Sequence, residues 1–574
     1  MKRHIEFKDT QREIHYFRLR LALSLGFVLL LLLILLARFV YLQVMQQSHY
    51  QTLAENNRIS IVPIAPSRGL ILDRNGVILA HNYSAYTLEI TLNKVADLKA
   101  TIDELAKLID IQPGDRKRFK RLLADNRKFE SLPIRNRLTD DEVARFSAQR
   151  YRFPGVEIKA RLFREYPYHE QISHLVGYIG RINEGEAAQL EEDEMAANYR
   201  GSDYIGKTGI ERSYEGELHG KTEVLAFVSK PGYDPNLFID GIDEQSWNEL
   251  NNSPDVPLNN RALRGQYSPG STIKPFMALA GLHYNKRAPS YTISDPGYFS
   301  LPGSRHRYRD WKKEGHGSVD LFKSIVVSCD TYYYGLATEL GIDNIYSLFS
   351  EFGFGKKTGI DMEGEVSGLM PSPEWKQKRY KQRWYAGDTV SVGIGQGYNL
   401  VTPLQLAYAT ATLANDGVAY RPHLLKEVQI SRTNEKRTLA TTPESNLNLN
   451  SEHLALVKSA MVAVTQPGGT AAKAGADAPY TFAGKTGTAQ VIGIKQGEKY
   501  IESKIQERHR DHAWFMAFAP SDQPKIALAV LVENGGHGSS TAAPIARKVL
   551  DYFLLGKMPQ PLLIEDDAEG VEHD

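Results

Sequence analysis

An uncharged apolar segment near the N-terminus constrains the fold of this chain more than any other feature of its sequence. Leu21–Ala37 contains seventeen residues without a charge, and Phe39 continues the apolar run beyond Arg38. A helix of that length spans roughly the hydrocarbon core of a bilayer, and an arginine at its end can reach the interface. We therefore predict one transmembrane helix at residues 21–42.

The residues on either side of this segment predict its orientation in the membrane and whether it is cleaved. Residues 1–20 contain several basic side chains, which favour retention of this tail in the cytoplasm. A cleaved signal peptide is the alternative, but the bulky sequence that follows, ARFVYLQVMQQ, offers no small-residue cleavage site. We therefore expect an uncleaved signal anchor, with everything after residue 42 outside the cytoplasmic membrane.

Length and composition narrow the class of protein further. A chain of 574 residues is too long for one ordinary core, so two or more domains are expected. Lys and Arg (69) almost balance Asp and Glu (68), so the composition does not indicate a nucleic-acid partner. The single cysteine excludes an intramolecular disulfide framework.

The part of the chain that follows the membrane segment divides into two domains with different sequence patterns. Residues 43–235 alternate short apolar runs such as AYTLEITL with charged helical stretches, which predicts a mixed, strand-rich module. Residues 236–556 alternate helical runs with strongly apolar strands such as KIALAVLVEN. The end of the chain, 557–574, is acidic, and we expect it to be a solvated, disordered tail.

The first chemical motif lies in YSPGSTIKPFMALAGL, residues 267–282. Pro and Gly precede Ser271, and an apolar run at helical spacing follows it, so Ser271 should begin a helix with Lys274 one turn later on the same face. A desolvated lysine there could take the proton of the serine and activate it as a nucleophile. The pattern is permissive, and a surface serine and lysine placed by chance are the alternative.

A second motif, VVSCDTYYYGLA, places Ser328 and Asp330 two residues apart. A return of the chain could bring the Ser328 hydroxyl against Ser271 and Lys274 as a proton relay. Ser-x-Asp alone more often forms a helix cap.

A third motif, Lys-Thr-Gly, occurs three times, at 207–209, 357–359 and 485–487. Only the last copy has strand-like flanks and lies downstream of the serines. There Lys485, Thr486, Gly487 and Thr488 would form a strand edge with a cation and hydroxyls facing a cleft, where glycine admits a substrate backbone. The other two copies are interpreted as structural turns.

These three motifs in this order resemble the serine penicillin-binding protein and β-lactamase superfamily. RGLILDRNG (68–76), GKTGIERSYEGELHG (206–220) and VGIGQGYNLVTPLQLA (392–407) are similar to segments of the membrane-anchored class B enzymes, and the resemblance is greatest to the elongation-type members. It implies an α/β (α+β) fold: a transpeptidase domain with an antiparallel sheet flanked by helices, on a strand-rich N-terminal pedestal with one transmembrane helix.

The resemblance also implies an activity and a location. Ser271 would attack the D-Ala-D-Ala carbonyl of a peptidoglycan stem peptide with Lys274 as base, and the backbone N–H groups of Ser271 and Thr488 would form the oxyanion hole. Ser328 would relay a proton to the departing D-alanine. The anchor would lie in the bacterial inner membrane with the catalytic domain in the periplasm, and β-lactams would mimic the donor.

The remaining site residues follow from the same resemblance. Lys485 and Thr486, with Thr488, would hold the terminal carboxylate of the donor. Asp330 departs from the asparagine that is common at this position, and because a carboxylate cannot donate as an amide does, we expect it to pair with a lysine. The expected partners are a SEDS-type glycan polymerase in the membrane and scaffold proteins of the elongation complex.

The lone cysteine allows two interpretations. It is an inert buried thiol in most proteins, but Asp295, Asp310 and His316 precede Cys329, and all four residue types bind zinc. Their spacing fits no compact zinc finger. Elongation-type relatives are similar in having zinc at matching positions, which favours a structural zinc that braces the helix of Ser328 and Asp330.

Two other functions remain open at this point. The same fold could belong to a β-lactam sensor or hydrolase, although the large N-terminal module and the absence of a clear deacylating loop argue against it. The chain could also be a non-catalytic scaffold that recruits a glycan polymerase and has a vestigial site.

Overall fold

The structure is a computed structural model of the full chain, and it describes most of its length. The described residues are 10–41, 68–125, 131–192, 199, 204–218, 222–224, 229–239, 241–429, 436–438, 442–492 and 505–558. The expected beginning of the pedestal at residue 43 and the acidic tail from residue 559 onward lie outside them. The chain forms two compact units, residues 1–65 with 187–202 and residues 66–186 with 203–574.

The first unit contains one long helix, α1 (Thr10–Val40). Its segment Ile14–Val40 has a mean hydropathy of 2.7 and is long and apolar enough to cross a membrane. The apolar side chains of this segment are exposed, which fits a helix whose surroundings are lipid rather than protein. The predicted single span agrees with this helix.

The pedestal is built on a sheet of the second unit. The strands β1 (Ile71–Asp73), β2 (Ile78–Thr91), β3 (Ser131–Leu138), β4 (Val156–Glu165) and β7 (Thr222–Val224) form this sheet, and β5 (Ile179–Arg181) and β6 (Tyr204–Gly206) pair separately with each other. Its helices are α2 (Leu98–Leu105), α3 (Pro113–Asp125), α4 (Asp140–Gln149), α5 (Ser173–Val176), α6 (Glu184–Glu192), α7 (Gly209–Ser213) and α8 (Glu215–Leu218). The long strand β2 pairs antiparallel with β1, β3 and β4. Apolar residues of α2, α3 and α4 are buried with those of β2 and β3 in one core, so the predicted mixed module is confirmed.

A buried ion network joins distant motifs of the pedestal. The Glu211 carboxylate is fully buried and accepts from Arg68 Nε at 2.6 Å and from Arg164 Nε at 2.8 Å. Arg68 also donates to Glu215 at 2.7 Å. The two guanidinium groups hold the pKa of Glu211 below its usual value, although burial acts to raise it. The RGLILDRNG and GKTGIERSYEGEL motifs are therefore parts of one electrostatic cluster.

Replacing the acid of this network should destabilise the pedestal strongly. In Glu211→Gln the two buried arginines lose their shared counter-ion, and we expect the free energy of unfolding to fall by about 3–5 kcal/mol. Urea unfolding of the detergent-solubilised chain measures this change. Glu165→Gln, which removes a half-exposed acid from the same sheet, is the control and should change the stability little. Equal effects of the two variants would contradict a special role for the network.

The catalytic portion contains the remaining elements. Its helices are α9 (Glu244–Asn252), α10 (Arg261–Arg264), α11 (Lys274–His283), α12 (Leu321–Val326), α13 (Asp330–Glu351), α14 (Pro373–Tyr380), α15 (Ala386–Val392), α16 (Pro403–Ala414), α17 (Ser451–Val464), α18 (Ala472–Gly475) and α19 (Ala542–Leu555). Its strands are β8 (Ile293–Asp295), β9 (Tyr298–Phe299), β10 (Tyr308–Arg309), β11 (Gly317–Val319), β12 (Val418–Tyr420), β13 (Glu427–Gln429), β14 (Lys436–Thr438), β15 (Pro443–Asn446), β16 (Ala483–Ala489), β17 (His512–Ala519) and β18 (Ile526–Val532).

Strands β16, β17 and β18 form an antiparallel sheet with β17 in the centre. Strand β17 reads HAWFMAFA and is buried along nearly its whole length, because helices cover the sheet. Helices α11, α13, α16, α17 and α19 share one apolar core with it. The predicted fold class, an antiparallel sheet flanked by helices on a mixed pedestal, is confirmed.

The first two Lys-Thr-Gly copies lie where pedestal and catalytic portion meet within this unit. The 207–209 copy links β6 to α7, and the 357–359 copy lies in a loop. Just beyond them, the Tyr214 hydroxyl donates to Asp361, and Arg212 pairs with Glu363 at 2.5 Å. The Thr358 and Gly359 N–H groups donate to the Glu365 carboxylate, and the interpretation of both copies as structural turns stays a prediction.

Candidate active site

The predicted nucleophile lies on a tight turn against the sheet. Ser271 belongs to a 3₁₀ turn, Gly270–Ile273, that continues directly into α11, and its side chain is half-buried. Gly270 adopts a φ of 54°, and a Cβ there would lie 2.4 Å from the carbonyl oxygen of Thr488. Only glycine fits this close approach, which places the serine beside the end of β16.

Lys274 begins α11 and is completely buried. Its ammonium donates to Asp330 Oδ1 at 2.7 Å, to the Ser328 carbonyl at 2.8 Å and to Ser328 Oγ at 3.2 Å. A lysine has three N–H donors, and these contacts use all of them. Asp330 is thus the counter-ion of Lys274, as expected for a carboxylate at a position where an amide is common.

Ser328 connects the two lysines of the site. It lies between α12 and α13 with a φ of 57°, a left-handed conformation that is uncommon for a residue with a side chain. Its hydroxyl faces Lys274 on one side and accepts from Lys485 Nζ at 2.8 Å on the other. The strained backbone fits a residue that the surrounding fold positions for chemistry.

Strand β16 supplies the second buried lysine. Lys485 is completely buried and donates to Ser328 and to the Thr486 carbonyl. Burial lowers its pKa well below the usual value, the positive charge of Lys274 lowers it further, and Asp330 offsets part of this shift. An incoming anion would therefore stabilise the protonated form of Lys485.

The rest of the third motif also faces the nucleophile turn. Gly487 has no room for a side chain, because a Cβ would lie 2.8 Å from Thr272 Cγ2. The Thr486 hydroxyl is 2.9 Å from that of Thr470. The Thr488 carbonyl accepts from Gln396 Nε2 at 3.0 Å.

The structure thus brings all three motifs together, with one difference from the expected contacts. Within the described part of the chain the Ser271 hydroxyl forms no hydrogen bond, so the direct bond to Lys274 is not seen. The physical reason is that the donors of Lys274 are all directed at Ser328 and Asp330. A substrate that enters between the turn and β16 would meet the Ser271 hydroxyl unpaired.

Sequence reasoning missed three residues of this site. Gln396 lies in the GIGQG part of the 392–407 segment, and the Gly395 carbonyl of that loop accepts from the Gly270 N–H at 2.9 Å. Thr470 contacts Thr486 from the loop before α18. Trp311 is 61% exposed, and its indole N–H donates to the Ser328 carbonyl at 3.1 Å. Their only sequence signals are a glycine-rich loop and an isolated aromatic residue.

The four predicted metal ligands form one buried cluster. One ligand atom from each of Asp295, Asp310, His316 and Cys329 lies within 4.8 Å of the other three. His316 Nδ1 is 2.8 Å from Asp295 Oδ2 and 3.5 Å from Asp310 Oδ1, and Cys329 Sγ is 3.4 Å from Asp295 Oδ2.

The chemistry of this cluster fits a cation. Burial raises the pKa of Asp310, and the charge of Asp330 raises it further. Burial and the neighbouring carboxylates raise the pKa of the Cys329 thiol. Asp295 differs, because although burial acts to raise its pKa, hydrogen bonds from Thr331, Gly297 and His316 lower it. A positive charge would stabilise the anionic forms of Asp310 and Cys329, and one sulfur, one nitrogen and two oxygen ligands suit a closed tetrahedral zinc site.

The cluster is physically continuous with the lysine pair. Cys329 caps the N-terminus of α13, directly between Ser328 and Asp330. Asp310 accepts from the Thr331 N–H at 3.1 Å, and the Trp311 N–H donates to Asp330 at 3.2 Å. Interactions that stabilise the cluster therefore also stabilise the start of α13, where Ser328 and Asp330 of the site lie.

A half-buried serine on a tight turn, two buried lysines joined by a second serine, and a helix-flanked antiparallel sheet are the features expected of a penicillin-recognising protein. Family comparison agrees: residues 218–551 match the penicillin binding protein transpeptidase domain, and residues 63–228 match the penicillin-binding protein dimerisation domain. The chain belongs to the penicillin-binding protein family.

Within that family, the chain is similar to the enzymes called penicillin-binding protein 2. It is 40% identical to the peptidoglycan D,D-transpeptidase MrdA of Acinetobacter baumannii, over 98% of this chain and 91% of the relative. The crystal structure of Pseudomonas aeruginosa PBP2 in complex with WCK 5153 matches with a TM-score of 0.65 and 37% identity, over 88% of this chain and 99% of that one. The complex between PBP2 and MreC from Helicobacter pylori matches with a TM-score of 0.72 and 27% identity, over 86% and 98%.

Proposed function

We propose that this chain is a membrane-anchored peptidoglycan D,D-transpeptidase of cell elongation. The single observation that supports it most is the hydrogen-bonded series Lys274–Ser328–Lys485 beside the Ser271 turn, in a chain of this family. Such a site can activate a serine, hold a carboxylate and pass a proton to a leaving amine.

The first half of the reaction is acylation. Ser271 Oγ attacks the penultimate D-alanine carbonyl of a donor stem peptide, and the backbone N–H groups of Ser271 and Thr488 stabilise the developing oxyanion. Lys485, Thr486 and Thr488 hold the terminal carboxylate. The C–N bond then breaks, Ser328 relays a proton to the departing amine, and free D-alanine leaves an ester on Ser271.

The second half resolves the ester. An amine of a neighbouring stem attacks the acyl carbon, Ser271 leaves with a proton, and a peptide cross-link forms. Lys274 is the base in both halves. In its unprotonated form Lys274 donates one N–H to Asp330, 2.7 Å away, which orients the amine, and its lone pair takes the hydroxyl proton of Ser271. β-Lactams would complete only the first half.

The proposal includes an arrangement in the cell. The tail of residues 1–20 is cytoplasmic, the anchor of 21–42 crosses the inner membrane, and the pedestal (43–235) and transpeptidase domain (236–556) are periplasmic. The MreC complex of the Helicobacter pylori relative supports scaffold proteins of the elongation complex as partners. A SEDS-type polymerase would supply the glycan strands.

Zinc binding is part of the same proposal. Asp295, Asp310, His316 and Cys329 would hold the ion, which would neutralise their charge and brace the start of α13. The acyl-transfer chemistry itself needs no metal, because the nucleophile, base and oxyanion donors are all supplied by the chain.

Replacing the sulfur ligand tests the zinc proposal. We expect about one zinc per purified wild-type chain and a loss of affinity on the order of 100-fold or more in Cys329→Ser, together with a lower melting temperature. Metal analysis by mass spectrometry measures it. Asp343→Asn, an exposed change on the same helix, is the control and should retain the ion. Wild-type protein without zinc would contradict this part of the proposal.

The function itself is tested with the full-length protein in detergent. Incubation with a penicillin should increase the protein mass by one adduct, located by peptide mapping on Ser271. Incubation with lipid-linked glycan strands and a polymerase should release D-alanine and form cross-links. Rapid turnover of a chromogenic cephalosporin would indicate a hydrolase instead, and absence of both adduct and D-alanine release would indicate a scaffold.

A further inference from the structure

Two exposed basic segments flank the site, and no step of the proposed reaction uses them. The first comprises the end of the β9–β10 loop, strand β10 and the residues after it, and the second comprises the last residues of α14 and those that follow it. Their exposed cations are Arg305, Arg307, Arg309, Lys312 and Lys313 in the first segment and Lys378, Arg379, Lys381 and Arg383 in the second. Of the acids among them, Asp310 is buried in the candidate metal cluster, so the surface charge of both segments is strongly positive.

Each segment is joined directly to the site. In the first, Trp311 donates from its backbone N–H to Asp330 and from its indole to the Ser328 carbonyl, while most of its ring remains exposed. The second leads into α15 and then into the loop in which Gly395 contacts Gly270 and Gln396 contacts Thr488. The first segment therefore contacts the site at Ser328 and Asp330, and the second precedes the loop that contacts the Ser271 turn.

The first segment also contacts α15, the helix that directly follows the second segment. The Tyr308 hydroxyl of the hairpin lies against Gly387, 2.7 Å from the position that a Cβ there would occupy. The charge of Asp388, the next residue, together with burial raises the pKa of Tyr308, which is consistent with this contact. We call the two segments together, residues 305–313 and 378–385, the basic rim.

The rim is held in place by a buried cation. Lys376 is 2% exposed, pairs with Asp388 at 2.5 Å and lies 4.7 Å from the ring centre of Tyr385 and 5.4 Å from that of Tyr398. Such cation–ring contacts are strongest when the cation is desolvated. The backbone that presents the exposed lysines and arginines is therefore fixed rather than a free charged loop.

Several of the exposed cations are not engaged in ion pairs. Among the described residues, Lys378, Arg379 and Lys381 form no ion pair, and neither do Lys312 and Lys313. A surface with this excess of one charge beside a cleft raises the local concentration of a ligand of opposite charge. Solubility alone requires neither a buried lysine that fixes the backbone of a charged surface nor a contact from that surface to Ser328 through Trp311. These two features therefore favour a role in ligand binding.

We propose that the basic rim binds the free carboxylates of peptidoglycan stem peptides and so positions the peptide for reaction at Ser271. This inference rests on the proposed function and names a part of its substrate that Lys485 does not hold. A stem peptide is an acidic ligand that enters this cleft, so its charge and its location both match the rim. An anionic lipid surface matches the charge, but it does not explain the connection to the site.

The test compares binding of two fluorescent probes by the full-length protein. One is a stem tetrapeptide with free carboxylates, which lacks the terminal D-alanine and cannot acylate Ser271, and the other is the same peptide with its carboxylates amidated. The rim variant changes Lys378, Arg379, Lys381 and Arg383 to glutamine. We expect its Kd for the acidic probe to rise about tenfold, as four weak exposed contacts are lost, and its Kd for the amidated probe to stay constant.

A charge-matched control separates rim contacts from long-range attraction. Arg116, Lys117, Lys120 and Arg121 lie on α3 of the pedestal, and their change to glutamine removes the same charge. This control should bind the acidic probe as the wild type does. Equal weakening in both variants, or no weakening in the rim variant, would overturn the proposal.

Two further measurements distinguish the other outcomes. Penicillin acylation should be equal in wild type and rim variant; if the wild type is not acylated at all, the proposed function fails, while the probe binding still tests the rim. Vesicles of phosphatidylglycerol test the lipid source of anions. Loss of vesicle binding in the rim variant with unchanged peptide binding would assign the rim to the membrane and overturn the proposal.

Discussion

Ser271→Ala should abolish covalent labelling by penicillin and the release of D-alanine. The variant keeps the turn and the buried lysines. It removes the hydroxyl of Ser271, which is the only hydroxyl of this 3₁₀ turn that is not buried. Removing the nucleophile of a serine acyl-transfer site lowers kcat on the order of a million-fold, which is below detection in a gel-based labelling assay.

A neighbouring serine provides the control for this prediction. Ser268 lies three residues earlier, and its backbone carbonyl accepts from the Trp514 indole, a contact that alanine retains. Ser268→Ala should label at a rate within about a few-fold of wild type. Labelling of Ser271→Ala at the wild-type rate would mean that another residue is acylated, and it would remove the basis of the proposed mechanism.

Much of the site could be predicted from the sequence because its motifs are local. The turn at Ser271 follows from Pro-Gly before an apolar helical run, and the spacing of three places Lys274 on the same face. The choice of Lys485 among three Lys-Thr-Gly copies follows from its strand flanks, and β16 confirms that context.

The rest depends on contacts between segments that are distant in the chain. Gln396 reaches Thr488 across 92 residues, and Trp311 reaches Ser328 across 17 residues through the β8–β11 region. No spacing rule connects such positions, since the return of the chain decides them. The sequence likewise indicated that Asp330 pairs with a lysine, but only the fold identifies Lys274 rather than Lys485.

The metal cluster lies between these two cases. Residue types together with the resemblance to elongation-type relatives indicated its four members, although their separations match no compact motif. The pairing of β11 with β8 brings Gly317 opposite Asp295, and this pairing sets His316 beside the carboxylate. The four residues come from separate parts of the chain, so the sequence shows only that residues of the right types are present. The register of the sheet then determines how they are arranged in space.

Lys274→Met should slow penicillin acylation by on the order of a thousand- to ten-thousand-fold, because the site loses the amine that accepts the Ser271 proton. The same change leaves the buried Asp330 without its counter-ion, so stability should also fall, by about 3–5 kcal/mol. Loss of activity alone would therefore not separate chemistry from folding.

A second substitution separates the two effects. Asp330→Asn keeps an oxygen that can accept from Lys274, so by itself it should acylate within about tenfold of wild type. In the double variant Lys274→Met/Asp330→Asn no unpaired carboxylate remains, and we expect the melting temperature to recover while acylation stays slow. Stopped-flow acylation and thermal unfolding of the three variants measure both quantities. Recovery of the acylation rate together with stability would show that Lys274 acts only as a structural partner of Asp330, whereas recovery of stability alone assigns it the role of base.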